Sequence, residues 1–173
     1  MSQYLPTHGF RWLTRDEIDH LSTRIHCLND FDEDGYIFEV DLRYPTRLHD
    51  QHNDYPLAPE HLEVTSNMLS PFQQTTYPKH RLQKTKKLVP NLMDKHKYIV
   101  HYRNLKYYLE KGMELTHIHR VLTFKQSPWL KSYVDFNTER RSQSTSEFEK
   151  SFFKLMNNSV FGEFFFKVRF DSD

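Results

Sequence analysis

The clearest alternation of apolar and polar residues in the chain lies at positions 36–42. Tyr36, Phe38, Val40 and Leu42 are apolar, and Glu39 and Asp41 stand between them. A period of two residues predicts a β-strand whose even positions face a core. Glu39 and Asp41 are then expected together on the opposite face, before the strand ends near Pro45.

Local capping and periodicity signals predict the other elements of the first two thirds of the chain. Thr14 and Glu17 form a capping box, which predicts a helix extending to about His26. Further strands are expected at 98–102 and 115–124, with a helix over 105–111 that begins after Asn104 and ends at Gly112. Residues 49–90 have little periodicity and are expected to be irregular.

The last third of the chain is predicted to be helical. A long charged stretch begins near residue 137, and a second capping box starts at Ser146. The helix is expected to end near Phe161, because Gly162 is a natural helix terminator. The predicted fold class is therefore α+β.

Composition limits the kinds of protein this chain can be. It has 173 residues, 37% hydrophobic and 15% aromatic, so it can build one core of ordinary size. The net charge of +1 predicts no overall attraction to nucleic acid, so any basic surface must be local. A single cysteine, Cys27, excludes an internal disulfide and a cysteine-built zinc site, and it favours an intracellular location. No segment approaches the roughly 20 apolar residues of a membrane helix, so no membrane partner is expected.

Near the carboxyl end, three residues with complementary chemistry fall on one face of the predicted helix. Lys154, Asn158 and Phe161 are spaced four and three residues apart. A cation, an amide and an aromatic ring suit a nucleoside triphosphate, since the cation can bind phosphate and the ring can contact sugar or base. The alternative is an amphipathic helix with a solvated lysine face.

The sequence Lys154-Leu-Met-Asn-Asn-Ser-Val-Phe-Gly162 resembles the fingers motif of family B DNA polymerases, K-x-x-x-N-S-x-Y-G. Phe161 stands where tyrosine is usual. The resemblance implies that Lys154 binds the phosphates of the incoming nucleotide and that Asn158 and Phe161 border the nascent base pair. It also makes Arg140, or alternatively Arg141, a candidate for contact with the triphosphate.

The segment from Glu39 to Pro45 resembles the palm motif D-x-x-S-L-Y-P of the same family. Counted back from Tyr44 and Pro45, the catalytic aspartate position is occupied by Glu39. Asp41 lies on the same strand face about 7 Å away, so either carboxylate could hold Mg²⁺. Tyr44 would lie beneath the sugar and disfavour a ribose 2′-hydroxyl. The structural alternative for Glu39 and Asp41 is that they are simply exposed acids on a half-buried strand. The alternative for Tyr44 is that it is a core residue.

The two motifs imply a domain organisation. Residues 1–46 would form a partial palm sheet, and residues 136–162 the protruding fingers helices. Residues 47–135 would be a small inserted α/β subdomain resembling terminal protein region 1, which occurs in protein-primed polymerases of viruses and mobile elements. Residues 163–173 would be a divergent tail.

A basic cluster inside the region predicted to be irregular is a candidate for contact with template or primer phosphates. A solvated loop is the alternative. The DNA-binding candidates are Lys79, Arg81, Lys84, Lys86 and Lys87.

The resemblance implies part of a DNA-directed DNA polymerase, which adds deoxynucleotides to a primer by a two-metal Mg²⁺ mechanism. Its partners would be deoxynucleoside triphosphates, primer-template DNA and a terminal protein primer. The exonuclease motifs of such polymerases are not seen in the sequence, so proofreading is not expected. Two metal ions need carboxylates from two places, whereas the second palm motif is not seen either. The isolated chain is therefore expected to be inactive. The alternative is a catalytically dead relic or a domesticated nucleic-acid-binding module.

Overall fold

The computed structural model describes residues 3–76 and 85–170, with the backbone alone for 161–170. Its fold is mixed α and β, as the sequence predicts. The strands are β1 (Leu5–Trp12), β2 (Asp34–Arg43), β3 (Glu60–Glu63), β4 (Lys86–Val89), β5 (Lys95–His101) and β6 (Glu114–Ser127). The helices are α1 (Arg15–Ser22), α2 (Pro71–Thr76), α3 (Tyr102–Glu110), α4 (Lys131–Gln143) and α5 (Glu147–Phe170).

Strand β2 confirms the predicted alternation. Phe38, Val40 and Leu42 are almost completely buried, whereas Glu39 and Asp41 are only partly covered. Because successive strand residues point to opposite sides of a sheet, the apolar residues of β2 form the centre of the core and its two acids share the other face. This arrangement places the palm-like motif on a well-ordered strand.

The main sheet is antiparallel, with strand order β1-β6-β2-β5. Strand β5 pairs with β2 so that Glu39 lies opposite Ile99 and Val40 opposite Tyr98. The register shifts between Val40 and Leu42. At this irregularity Lys97 adopts a φ of 50°, which is uncommon for a residue with a Cβ. The strands predicted for the insertion, β5 and β6, thus belong to the same sheet as β2.

The chain forms two compact units. One comprises the residues up to Phe10, Asn29–Gly35 and Phe124 onward; the other comprises Arg11–Leu28 and Tyr36–Thr123. The second unit holds the larger part of the core, in which Phe38, Tyr102 and Leu105 are fully buried. The first unit contains helices α4 and α5. The units do not coincide with the predicted palm, insertion and fingers boundaries, which stay predictions.

A two-stranded ribbon of β3 and β4 belongs to the second unit. It is antiparallel, with Glu60 opposite Val89 and Glu63 opposite Lys86. The ammonium of the fully buried Lys95 on β5 lies 2.9 Å from the carboxylate of Glu60, so an ion pair joins the ribbon to the main sheet. Burying a charged lysine requires such a partner.

Several predicted boundaries are wrong, each for a local reason. The region predicted to be irregular contains β3, β4 and α2. Helix α3 is capped by His101, whose ring accepts from the Arg103 N–H, and not by Asn104. Gly162 does not end α5, which continues to Phe170. A glycine inside a helix costs only about 1 kcal/mol, so favourable neighbours can carry the helix through it.

Candidate functional site

Glu39 is held by a cationic partner on the neighbouring strand. Its carboxylate accepts a hydrogen bond of 2.5 Å from Nε of Arg120 on β6, and only 14% of its side chain is exposed. This bond is the main reason that the pKa of Glu39 is lowered. The Arg120 guanidinium also lies over the ring of Trp12, 4.9 Å from its centroid. Glu39 is therefore an ionised, well-oriented side chain within an ion pair.

Asp41 is bonded from two directions. Its Oδ1 accepts from the Lys97 backbone N–H at 2.7 Å and lies 2.9 Å from Nε2 of His119. The pKa of Asp41 is lowered, chiefly by the backbone bond from Lys97 and then by the bond with His119. The residue that donates this N–H, Lys97, is the one with the positive φ at the strand irregularity, so the irregularity and the acid are in direct contact.

These partners bear on the predicted Mg²⁺ ligands. A magnesium ion takes oxygen ligands in near-octahedral geometry, but Glu39 faces a guanidinium and Asp41 faces an imidazole and an N–H. Within residues 3–76 and 85–170, no group of three or more His, Cys, Asp and Glu side chains is placed to hold a metal. As arranged here, the two acids do not fit a two-ion site, and magnesium binding at Glu39 or Asp41 stays a prediction.

Tyr44 lies in the core. It is 3% exposed, and its hydroxyl bonds with Nδ1 of His52 at 2.8 Å and accepts from the Leu57 N–H at 3.2 Å. Burial raises the pKa of Tyr44. Its backbone N–H donates to Asp94 at 2.7 Å, which fixes the end of β2. A sugar could contact this ring only if the surrounding loop moved, so its predicted nucleotide contact stays a prediction.

The residues that resemble the fingers motif, Lys154, Asn158 and Phe161, lie on α5, in the first unit. Lys154 and Asn158 are both exposed, one turn apart on the helix. Phe161 is helical, but its side chain falls outside the part that the structure describes. Lys154 and Asn158 are thus brought to one accessible helix face, as their spacing predicts.

Helix α4 supports α5 from the side. The Tyr133 hydroxyl donates to the Met156 carbonyl at 3.1 Å, and Nδ2 of the buried Asn137 donates to Oδ1 of Asn157 at 3.0 Å. Arg140, also on α4, is exposed and its guanidinium lies 5.3 Å from the centroid of the Phe136 ring. Arg140 is therefore accessible for anion binding, although nothing described here joins it to Lys154.

The basic cluster falls partly outside the described residues, which exclude Lys79, Arg81 and Lys84. Lys86 and Lys87 lie on β4 and are exposed. Lys86 is opposite Glu63 and Lys87 is opposite Leu62 in the β3–β4 ribbon. Both lysine side chains are accessible to a phosphate group, but Lys86 has an acid, Glu63, as its cross-strand neighbour.

The sequence interpretation missed both partners, Arg120 for Glu39 and His119 for Asp41. Strand β6 lies beside β2 in the sheet, but strict alternation would place the consecutive residues His119 and Arg120 on opposite faces, so it gave no signal for both partners. What the sequence could not supply was the register between strands so far apart in the chain.

None of the helices in the described part of the chain combines the length and apolar character needed to span a membrane. Comparison with protein-family models, with curated proteins and with solved structures gives no match for this chain.

Proposed function

We propose that this chain carries the palm and fingers segments of a protein-primed family B DNA polymerase of viral or mobile-element type. In this proposal, α5 binds the triphosphate of an incoming deoxynucleotide. The observation that supports it most is the exposure of Lys154 and Asn158 on one face of a helix that α4 holds in place.

The chemistry of α5 suits this role. The Lys154 ammonium is a mobile point charge that can follow a triphosphate, and hydrogen bonds to charged groups are stronger than neutral ones. Asn158 adds an amide donor and acceptor one turn further along. Phe161 would stack on the base or sugar, and Arg140 on α4 is the second cation of the proposed site.

The palm segment supplies the acids of the proposed reaction, Glu39 and Asp41, with Mg²⁺ and primer-template DNA as cofactor and substrate. Because both acids are paired with Arg120 or His119, we propose that the isolated chain does not extend primers. Activity would require these donors to be displaced and a second carboxylate group to be supplied.

Primer extension with purified protein, Mg²⁺ and deoxynucleotides tests the catalytic part of the proposal. No template-dependent product is expected from the isolated chain. A product that disappears with Glu39→Ala or Asp41→Ala, but persists with the exposed-loop variant Asp54→Ala, would contradict the proposed inactivity and establish the acids as catalytic.

A second candidate function is a non-catalytic nucleic-acid-binding module. The observation that favours it is that Glu39 is held in an ion pair with Arg120 and Asp41 in hydrogen bonds with His119 and the Lys97 N–H, which stabilises the sheet without requiring metal. Binding would then use Lys86 and Lys87 with Lys79, Arg81 and Lys84. Fluorescence anisotropy with a DNA duplex would detect it, and Lys86→Ala with Lys87→Ala should reduce the salt slope by about 2 if both contact phosphate.

A further inference from the structure

Helix α5 carries three large apolar side chains on its surface. Phe148 is 77% exposed, Phe152 46% and Leu155 64%. Their spacing of four and three residues places them within about 60° of one another around the helix. We call Phe148, Phe152 and Leu155 the α5 stripe. Such a stripe at helical spacing is typical of a face that packs against another helix.

The α5 stripe points away from α4. The hydrogen bond of 3.0 Å between Asn137 and Asn157 identifies the face of α5 that meets α4. Nine residues separate Phe148 from Asn157, which is two and a half turns, so the two side chains lie about 180° apart around the helix. The surface that would cover the stripe is therefore not α4.

Opposite charges flank the α5 stripe on one side. Glu147 and Lys154 are seven residues apart, so they project from nearly the same side of the helix and are separated by about 10 Å along its axis. The Glu147 side chain is 87% exposed and bonds Lys150 of its own helix through Oε1 at 2.8 Å. Lys154 is also exposed. The acid and the cation thus lie beside the two ends of the α5 stripe.

We infer that the α5 stripe is a docking surface for the same stripe of a second copy of this chain, with the two helices antiparallel. A two-fold axis that passes between the two helices, level with the midpoint of positions 150 and 151, places each Glu147 opposite the partner copy's lysine at position 154. The same axis interleaves the apolar residues, since each aromatic ring falls between two apolar side chains of the other helix.

The charge pattern selects this occupant and this orientation. An antiparallel pair forms two symmetric contacts between Glu147 and the partner copy's lysine. It also places the two helix dipoles antiparallel, which is favourable. A parallel pair would bring two acidic first turns together, each containing Glu147 and Glu149. Nucleic acid is a poor ligand for the α5 stripe, because binding of a phosphate backbone depends on cationic side chains and the stripe is apolar and lies beside an acidic first helical turn.

Sedimentation velocity of the full chain tests this inference. Runs without nucleotide keep the outcome independent of the proposed polymerase function, and a reductant is included because Cys27 is exposed. Loading concentrations up to about 300 μM cover the dissociation constants of weak, transient dimers. We expect a monomer–dimer equilibrium that Phe148→Asp and Phe152→Asp each abolish, with unchanged circular dichroism. Phe136→Asp, at an exposed phenylalanine on α4, should leave the equilibrium intact.

Charge exchange tests the orientation. Glu147→Lys alone and Lys154→Glu alone should each weaken the dimer by roughly five- to tenfold, since two exposed pairs become repulsive. The double variant should restore the wild-type dissociation constant. A chain that stays monomeric throughout the range, a dimer unaffected by the stripe variants, or a double variant weaker than both single ones would overturn the inference.

Discussion

Nε2 of the His119 imidazole lies 2.9 Å from Oδ1 of Asp41, so β6 places a titratable ring directly against an acid of the palm-like strand. One residue further along β6, Arg120 bonds Glu39. Glu39 and Asp41, the two acids of the segment that resembles the palm motif, therefore both have hydrogen-bond partners on the adjacent strand β6. Both acids are thus occupied by donors from β6, and any metal chemistry there would first have to displace those donors.

Glu17 should make stability depend on pH. Its carboxylate accepts from both terminal nitrogens of Arg11, at 3.0 and 2.8 Å, and from the Thr14 N–H at 2.8 Å. These bonds lower the pKa of Glu17 from 4.5 to about 2, with the Arg11 bond as the main cause. A lowered folded pKa means that the stabilisation is present above the ordinary value and is lost as pH falls towards the folded value.

Urea unfolding of Glu17→Gln measures this effect. The variant should be less stable than the wild type at pH 7, and the difference should shrink between about pH 4.5 and 2. Salt should reduce the difference, because the pair is exposed and screened. The exposed-loop variant Asp54→Asn is the control and should show little change. A constant difference between Glu17→Gln and wild type down to pH 2 would contradict the assigned role.

Lys97→Gly should stabilise the fold. Lys97 has a φ of 50°, which costs an L-residue roughly 1–2 kcal/mol, while glycine loses part of that gain through its freer unfolded chain. The expected net gain is about 0.5–1 kcal/mol in thermal or urea unfolding. The matched control Lys97→Ala keeps the conformational cost and should be nearly neutral. Equal stabilities of the two variants would argue against backbone strain at this position.

Two phenylalanines should respond very differently to truncation. Phe38 is fully buried on β2, so Phe38→Ala should cost about 3–5 kcal/mol in the free energy of unfolding. Phe152, on α5, is 46% exposed. Phe152→Ala should therefore cost only about 1 kcal/mol or less. Similar losses for the two variants, measured by urea unfolding, would mean that Phe152 is buried in solution.

Elements specified by neighbouring residues could be predicted from the sequence. The capping box of Thr14 and Glu17 is present, with Thr14 accepting from the Glu17 N–H. The alternation in β2 gives the buried and polar faces correctly, and the spacing of Lys154 and Asn158 gives their shared exposed face. These features depend on capping bonds, strand period and helix period alone.

Features that depend on distant residues could not be predicted. Strand β1 contains Pro6 and Gly9, which argue against a strand, yet its pairing with β6 stabilises it. The partners of Glu39 and Asp41 are set by the register between β2 and β6. The continuation of α5 past Gly162 likewise reflects the helix as a whole, since one glycine is a small cost within a helix that extends to Phe170.

The most direct test of the proposed function is isothermal titration of the chain with a deoxynucleoside triphosphate and Mg²⁺. We expect measurable binding that Lys154→Ala weakens by about 1.5–3 kcal/mol, a loss that shrinks as salt is raised. Lys150→Ala, one turn earlier on α5, is the matched control and should matter less. Binding that ignores Lys154→Ala but is abolished by replacing Lys84, Lys86 and Lys87 would contradict the assignment of α5 as the nucleotide-binding helix.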